Sequence, residues 1–344
     1  MNKQSHIERT AHEPREATLH TLTIAHIEQV SPTIRVIRLA IPPNDNITAT
    51  PGSQFLPGQW VDLHPPPEAQ VPKAGGFTIT SSPTLALPHS TPSPSSTKQP
   101  PPTNPPAPYL ELAIQSSPHN PPAAYLFQPT PRLLHTPVQV RIGGSFVFPP
   151  PFLRHTTTTN PNHTTTATPL PKIVLVAGGM GINPLMSMLI RIAEESESMY
   201  EEGEEEEGPE VRVLYGVKDP GGGDGGGGAI LFLERIAGLF ARGRVLRGGV
   251  RLFVTGGGDG GGGVGSGWWG VGEVGSGGEE VIKVPCLRRR MTVRDVEEAV
   301  GEEKDAAVVY VCGVPGMTDE FVQALVAPEG FGMDPKRVLF EKWW

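Results

Sequence analysis

Ile173-Val174-Leu175-Val176-Ala177-Gly178-Gly179-Met180-Gly181-Ile182-Asn183-Pro184 decides how the rest of the chain is read. Five apolar residues in succession suit a strand covered on both faces, since a half-exposed strand would alternate. Gly178, Gly179 and Gly181 let the backbone turn sharply and come close to a ligand. Pro184 suits the first turn of a helix, where its missing N–H is no loss. Leu185, Met188, Leu189, Ile192 and Ala193 then form one apolar helical stripe. Strand, glycine turn and helix N-terminus together make a seat for a pyrophosphate. The spacing is neither GxGxxG nor the lysine-bearing phosphate loop, so a tight turn without ligand stands as the plain alternative.

Downstream of about residue 171 the rhythm continues. Strand-like runs at 173–177, 211–217, 251–254, 307–312 and 338–340 alternate with helical stretches at 184–195, 230–240, 293–300 and 318–326. Thr292 with Asp295 marks a helix start. This alternation predicts a doubly wound parallel sheet, whose ligands sit at the carboxyl ends of the strands. Upstream, runs at 20–30, 34–41, 60–63, 77–80, 109–115 and 138–142 are short, β-branched and punctuated by Gly and Pro. They predict a small antiparallel barrel. Residues 122–128 read as one short helix.

Composition sets the bounds. With 344 residues there is room for two domains. The 42 Gly and 39 Pro cluster, so they mark loops rather than a fibre. Five segments, 88–108, 155–169, 194–210, 219–228 and 256–278, bury too little apolar surface to offset ordering entropy. The formal charge of −8 lies largely in the glutamate run 201–207, a solvated stretch. No basic stripe points to nucleic acid, and no apolar run is long enough for a membrane span. Cys286 and Cys312 make no disulfide framework, which suits a reducing compartment. Arg9 and Arg15 are mixed with Glu8, Glu13 and Glu16, so the N-terminus reads as a poor transit peptide and no secretory signal. His26, His64 and His119 stand apart without metal spacing, and no metal is expected.

Four pieces in order resemble the ferredoxin–NADP reductase superfamily. Gly75-Gly76-Phe77-Thr78-Ile79-Thr80-Ser81-Ser82-Pro83 resembles its flavin-binding strand. The loop 178–184 resembles its pyridine-nucleotide turn. Cys312-Gly313-Val314-Pro315-Gly316-Met317 resembles its Cys-Gly-Pro motif, and Phe340-Glu341-Lys342-Trp343-Trp344 its terminal strand ending in an aromatic. The resemblance implies an N-terminal antiparallel flavin-binding barrel followed by a parallel-sheet NAD(P)-binding domain. The expected boundaries are a tail 1–18, a barrel 19–152 with an insert 88–108, a linker 153–170, and a nucleotide domain 171–344 with inserts 196–210, 219–228 and 256–279. Intracellular residence follows, in mitochondrion or cytosol.

By the resemblance, Thr78 sets its hydroxyl near flavin N5, the hydride-accepting atom. Gly76, Phe77 and Ile79 flank it, with Phe77 on the isoalloxazine or, in the plain alternative, in the barrel core. Ala123 and Ala124 begin the helix whose amides meet the flavin phosphates. Gly178, Gly179, Gly181, Ile182, Asn183 and Pro184 hold the nicotinamide nucleotide. Cys312, with Gly313, lies beside nicotinamide C4, or is a small core residue. Trp343 or Trp344 stacks on the flavin, or anchors a domain. Glu341 is a proton donor or amide partner. Two departures matter: the family's phosphate-pairing Arg falls on Gly75, and its helix hydroxyl falls on Ala124. Lys73 is the substitute cation, though without the guanidinium fork.

The implied cofactor is FAD ahead of FMN. NADH stands ahead of NADPH, since Tyr215-Gly216-Val217-Lys218 offers one cation with Asp219 beside it. The expected function is a flavin-dependent NAD(P)H oxidoreductase passing hydride from nicotinamide C4 to flavin N5 and electrons onward. Two cysteines cannot ligate an iron–sulfur cluster, so the acceptor is another molecule, small or protein. The rival is a nucleotide-binding or scaffold protein that keeps the fold without flavin.

Overall fold

The computed structural model describes residues 6–43, 47, 55–87, 107–154, 170–201, 208–221, 228–241, 246–256, 266–273 and 280–343. The chain divides into two units, Met1–Ser145 and Phe146–Trp344.

The first unit contains α1 (His6–Arg9), β1 (His20–Ser31), β2 (Ile34–Ala40), β3 (Trp60–His64), β4 (Gly75–Thr78), β5 (Tyr109–Gln115), α2 (Pro121–Tyr125), α3 (Thr130–Leu133) and β6 (Pro137–Gly143). The strands form one antiparallel sheet in the order β4-β3-β6-β1-β2-β5. Its two ends meet just beyond β4. Ile79 bridges Leu112, and the Thr80 amide donates to the Glu111 carbonyl at 2.8 Å. The sheet thereby closes on itself, as the short alternating strands predicted. Leu22, Ile24, Ile37, Leu39, Val61, Leu63, Val140 and Ile142 fill its interior. Residues 6–15 do not form a free tail. Arg15 bridges Gly143, and the Gly144 amide donates to Pro14 at 3.0 Å, so this segment lies on the outside of β3 and β6.

The second unit contains α4 (Pro151–Arg154), β7 (Lys172–Gly178), α5 (Ile182–Glu201), β8 (Glu210–Lys218), α6 (Leu233–Ala241), β9 (Arg247–Thr255), β10 (Ser266–Glu273), β11 (Glu280–Leu287), α7 (Val293–Val300), β12 (Val308–Gly313), α8 (Pro315–Val326) and β13 (Val338–Lys342). The sheet order is β10-β11-β9-β8-β7-β12-β13, parallel except for the β10–β11 pair. The apolar run at 173–177 is buried throughout, as a strand covered on both faces must be. Val174 and Val176 face Val296, Val300, Phe321 and Leu325 of α7 and α8. α5, between β7 and β8, and α6, between β8 and β9, cover the opposite face. At α7 the Thr292 amide and hydroxyl both donate to Asp295, at 2.8 and 2.7 Å. Arg289 grips the same carboxylate with both terminal nitrogens.

Two segments expected to lack structure carry elements. Residues 196–201 continue α5, where Glu and Met keep helical propensity and Arg191 pairs with Glu195 at 2.8 Å. Trp268 and Trp269, unassigned from sequence, lie in β10, paired with Pro285 and Val284. The unit boundary at Ser145 comes before the expected domain end at 152.

Candidate functional site

In the second unit, the chain leaves β7 for one face of the sheet and leaves the adjacent β12 for the other. That is the topological switch point, where the loops part and leave room for a ligand. Both singled-out turns stand there: Gly178–Gly181 after β7, and Cys312-Gly313 ending β12 beside Ala177.

The glycines of the first turn do different jobs. Gly179 has φ +56°, and a Cβ there would meet nothing within 4 Å. It holds a left-handed backbone open to a ligand. At Gly181 a Cβ would lie 2.0 Å from the Cys312 carbonyl oxygen. That glycine lets the turn pack on β12. Ile182, Asn183, Leu185 and Met186 are all buried, so α5 is anchored in the core and presents its first backbone amides at the turn.

Cys312 is fully buried. Burial raises its thiol pKa well above the ordinary value, and the Glu341 charge adds to this, while a hydrogen bond with Trp343 works against both. The thiol therefore stays protonated and is a poor nucleophile. The Trp343 indole also donates to Glu341 at 3.2 Å, and its amide donates to Gly313 at 2.8 Å. Lys342 pairs with Asp319 of α8 at 2.6 Å, pinning β13. Cys312, Gly313, Glu341 and Trp343 thus form one connected group beside the glycine turn. Trp344 lies outside the described residues.

Asp219, just past β8, pairs with Arg288 at 3.2 Å. The turn after β11 delivers this arginine, which sequence reading did not place near the nucleotide strands.

In the first unit, Thr78 and Phe77 face opposite sides of β4, as neighbours in a strand must. Phe77 joins the barrel core with Val61. Ile79 and Ala123 are core residues too, and Ala124 is exposed. Thr78 lies on the outer face opposite Trp60. Its hydroxyl is fully buried and has no hydrogen-bond partner among the described residues, and the Trp60 indole N–H is in the same state. Such orphaned groups are destabilising unless something completes them.

That outer face carries a cluster that sequence reading missed. Asp62, opposite Gly76, is fully buried in the middle of β3. It accepts from Arg15 Nε at 2.9 Å and from Arg141 at 2.9 Å, and His6 lies 3.4 Å away. The His6 ring covers Gly76 and meets Trp60 edge-on at 4.6 Å between centroids. The only hint in the sequence was an acid set among the apolar residues of Trp60-Val61-Asp62-Leu63.

Burial pushes the His6 pKa down to about 4, against the pull of Asp62 and with the push of Arg9 and Arg15. Between about pH 6.5 and 4 the unfolded chain holds a proton that the folded chain refuses, so stability falls as pH drops through that window. Amide exchange in residues 6–15 is expected to accelerate from pH 7 to pH 5 while the rest of the barrel stays protected. The acceleration should vanish in His6→Gln. Equal protection at both pH values would refute the role given to His6.

Among the described residues, no three His, Cys, Asp or Glu side chains gather as metal ligands, and no helix is long and apolar enough to cross a membrane.

No protein-family model matches the chain. It is similar over nearly its whole length to curated proteins named oxidoreductase NAD-binding domain-containing protein 1. The Xenopus laevis protein is 28% identical over 341 residues, covering 98% of this chain and 84% of that one. The Homo sapiens protein is 26% identical over 345 residues, covering 99% and 85%. Among solved structures, the ferredoxin NADP+ reductase from Neisseria gonorrhoeae with bound FAD and NADP aligns with a TM-score of 0.55 at 13% identity, covering 96% of this chain and 100% of that one. The CS-b5R domains of human Ncb5or in the NAD+ form give a TM-score of 0.56 at 15% identity, covering 94% and 69%. The chain therefore has the ferredoxin reductase-like fold that the four sequence pieces pointed to.

Proposed function

We propose that this chain is an NAD(P)H-dependent flavin oxidoreductase. The observation that carries it is the open, left-handed Gly179 at the switch point, with buried Cys312 and its Trp343–Glu341 partners alongside. The first amides of α5 and the backbone of 178–180 suit a pyrophosphate. Gly313 and Cys312 lie where a nicotinamide ring would follow, and the protonated thiol serves to position rather than attack. Glu341, which accepts from the Trp343 indole, would accept from the carboxamide. The Asp219 carboxylate suits ribose hydroxyls and neutralises Arg288, which favours NADH over NADPH.

A flavin supplies hydride acceptance and onward transfer of single or paired electrons. On the barrel, the residues fit one end of it. The orphaned Thr78 hydroxyl is a donor for the ring. The diphosphate end does not fit: Gly75 carries no cation, and Pro122 stands 2.6 Å from where its Cβ would be. With two cysteines, both unpaired and buried, the chain cannot ligate a cluster, so the acceptor is a separate molecule and a reducing compartment suits it.

The deciding experiment adds NADH anaerobically to flavin-loaded protein and follows the long-wavelength flavin band. Bleaching is expected, faster with NADH than NADPH. Cys312→Ala should slow it by on the order of 10²-fold through a misplaced nicotinamide, with less effect on NADH affinity. Loaded protein that never bleaches would leave the second reading, a nucleotide-binding protein without redox activity, which the poor phosphate seat favours.

A further inference from the structure

We infer that this barrel recognises flavin by its ring alone and takes it up as a dissociable ligand, with riboflavin, FMN and FAD bound about equally. The inference rests on the flavin reading above and adds the class of flavin ligand.

A resident dinucleotide needs donors for its diphosphate, and among the described residues the elements in position supply almost none. At the start of α2, Pro121 and Pro122 have no N–H. The Ala124 amide is spent on Asn120 at 2.9 Å, and that of Asn120 on Ser117 at 3.0 Å. The Ala123 N–H is left alone among the described amides at this end. A helix of five residues has little dipole to add. Ala124 has no hydroxyl to offer. Gly75 cannot be read as a vacancy that a neighbouring cation fills, because Pro122 and the Phe77 ring close on it at 2.6 and 2.7 Å from a Cβ position. Lys73, the one substitute in the sequence, pairs with Glu8 at 3.2 Å. Arg35 donates instead to the Leu126 and Gln128 carbonyls at the far end of α2.

The ring end is the reverse. Thr78 Oγ1 is a buried donor without a partner among the described residues, on the face of β4 where the His6 ring covers Gly76. A heterocyclic acceptor atom that displaces the His6 ring from this face would complete it, and no phosphate is needed for that. Charge-assisted phosphate contacts are what separate FAD from riboflavin in affinity, and the described residues of this seat have none to make.

Calorimetric titration of the full-length chain with riboflavin, FMN and FAD tests this. The three dissociation constants should agree within about threefold, because the polar contacts that would separate them are missing. FAD binding more than about 30-fold tighter than riboflavin, or FAD retained in equimolar amount through purification, would overturn the inference while leaving the oxidoreductase reading intact. No binding of any flavin would overturn both. Thr78→Val should weaken all three ligands by one common factor of about 5 to 10, with Thr78→Ser restoring them. The valine protein should melt no lower than the parent, since a buried unpaired hydroxyl has been removed. All three affinities unchanged in Thr78→Val would overturn the assignment of this hydroxyl. Gly75→Arg combined with Pro122→Gly, which opens the space and restores an N–H, should tighten FMN and FAD about tenfold and leave riboflavin where it was. Equal tightening of riboflavin would also count against the proposal.

Discussion

Gly181→Ala is expected to unfold or severely destabilise the second unit, by about 3 kcal/mol or more. The added Cβ would sit 2.0 Å from the Cys312 carbonyl oxygen, 2.5 Å from its carbon and 2.9 Å from the Gly313 nitrogen. All three are backbone atoms of β12. No rotamer change relieves the overlap, so β12 or the turn must move. Movement of β12 would disturb Val309 and Val311, which lie in the core shared with α7 and α8. The companion substitution Gly179→Ala separates packing from ligand approach. Its Cβ meets nothing within 4 Å, so its stability cost is the left-handed backbone alone, about 1 kcal/mol. Its effect should appear instead as weakened NADH binding, because the new methyl enters the space left for the nucleotide. Chemical unfolding and NADH titration of both variants give the check. A Gly181→Ala protein within about 0.5 kcal/mol of the parent would show that the turn is not wedged on β12.

The contrast between those glycines marks how far sequence reading reached. The apolar run at 173–177 and the turn behind it announced a buried strand and a helix start, because periodicity and glycine chemistry are local. Which glycine faces a ligand and which faces Cys312 depends on β12 lying beside β7, and no local pattern records that. The Thr292–Asp295 pair was legible for the same reason as the turn: both partners lie within one helical turn, and the box is closed in the structure. Trp268 and Trp269 were not legible as a strand. Glycine surrounds them, and what makes β10 a strand is its ladder with β11. The glutamates at the end of α5 looked like a solvated run, yet Glu is a good helix former once the preceding apolar face has nucleated the helix. Phe77 shows a subtler limit. The strand was placed correctly, but alternation puts its ring and the Thr78 hydroxyl on opposite faces, and motif matching does not carry that parity.

The N-terminal segment is the largest departure from the sequence reading, and it yields the second large effect. Asp62→Ala is expected to destabilise the first unit by about 3–5 kcal/mol, the range for breaking a buried ion pair by removing one partner. The carboxylate is fully buried, and it is the shared acceptor for Arg15 and Arg141. Without it, two guanidinium groups face each other across the outside of β3, and residues 6–15 keep the His6 and Arg15 contacts with Trp60 and the hydrogen bonds of Pro14 with Gly144 and Glu13 with Ser145 against that repulsion. His6 then reports which of two things happens. Asp62 raises the pKa of this histidine, so if the segment stays docked in Asp62→Ala, the value must fall below its present level of about 4. If the segment lifts off, burial is lost and the value returns toward the ordinary 6.5. Release is the expected result, because docking without Asp62 would keep Arg15 near Arg141 with no counter-charge. A histidine proton resonance titrating near the ordinary value, together with faster amide exchange in residues 6–15, is the expected signature. Release would also bare the face of β4 that carries Thr78. The same variant should therefore bind riboflavin more tightly than the parent at equal temperature, provided the barrel stays folded. A stable Asp62→Ala protein with His6 still depressed would mean that apolar packing on Trp60 holds the segment and that the buried carboxylate contributes little.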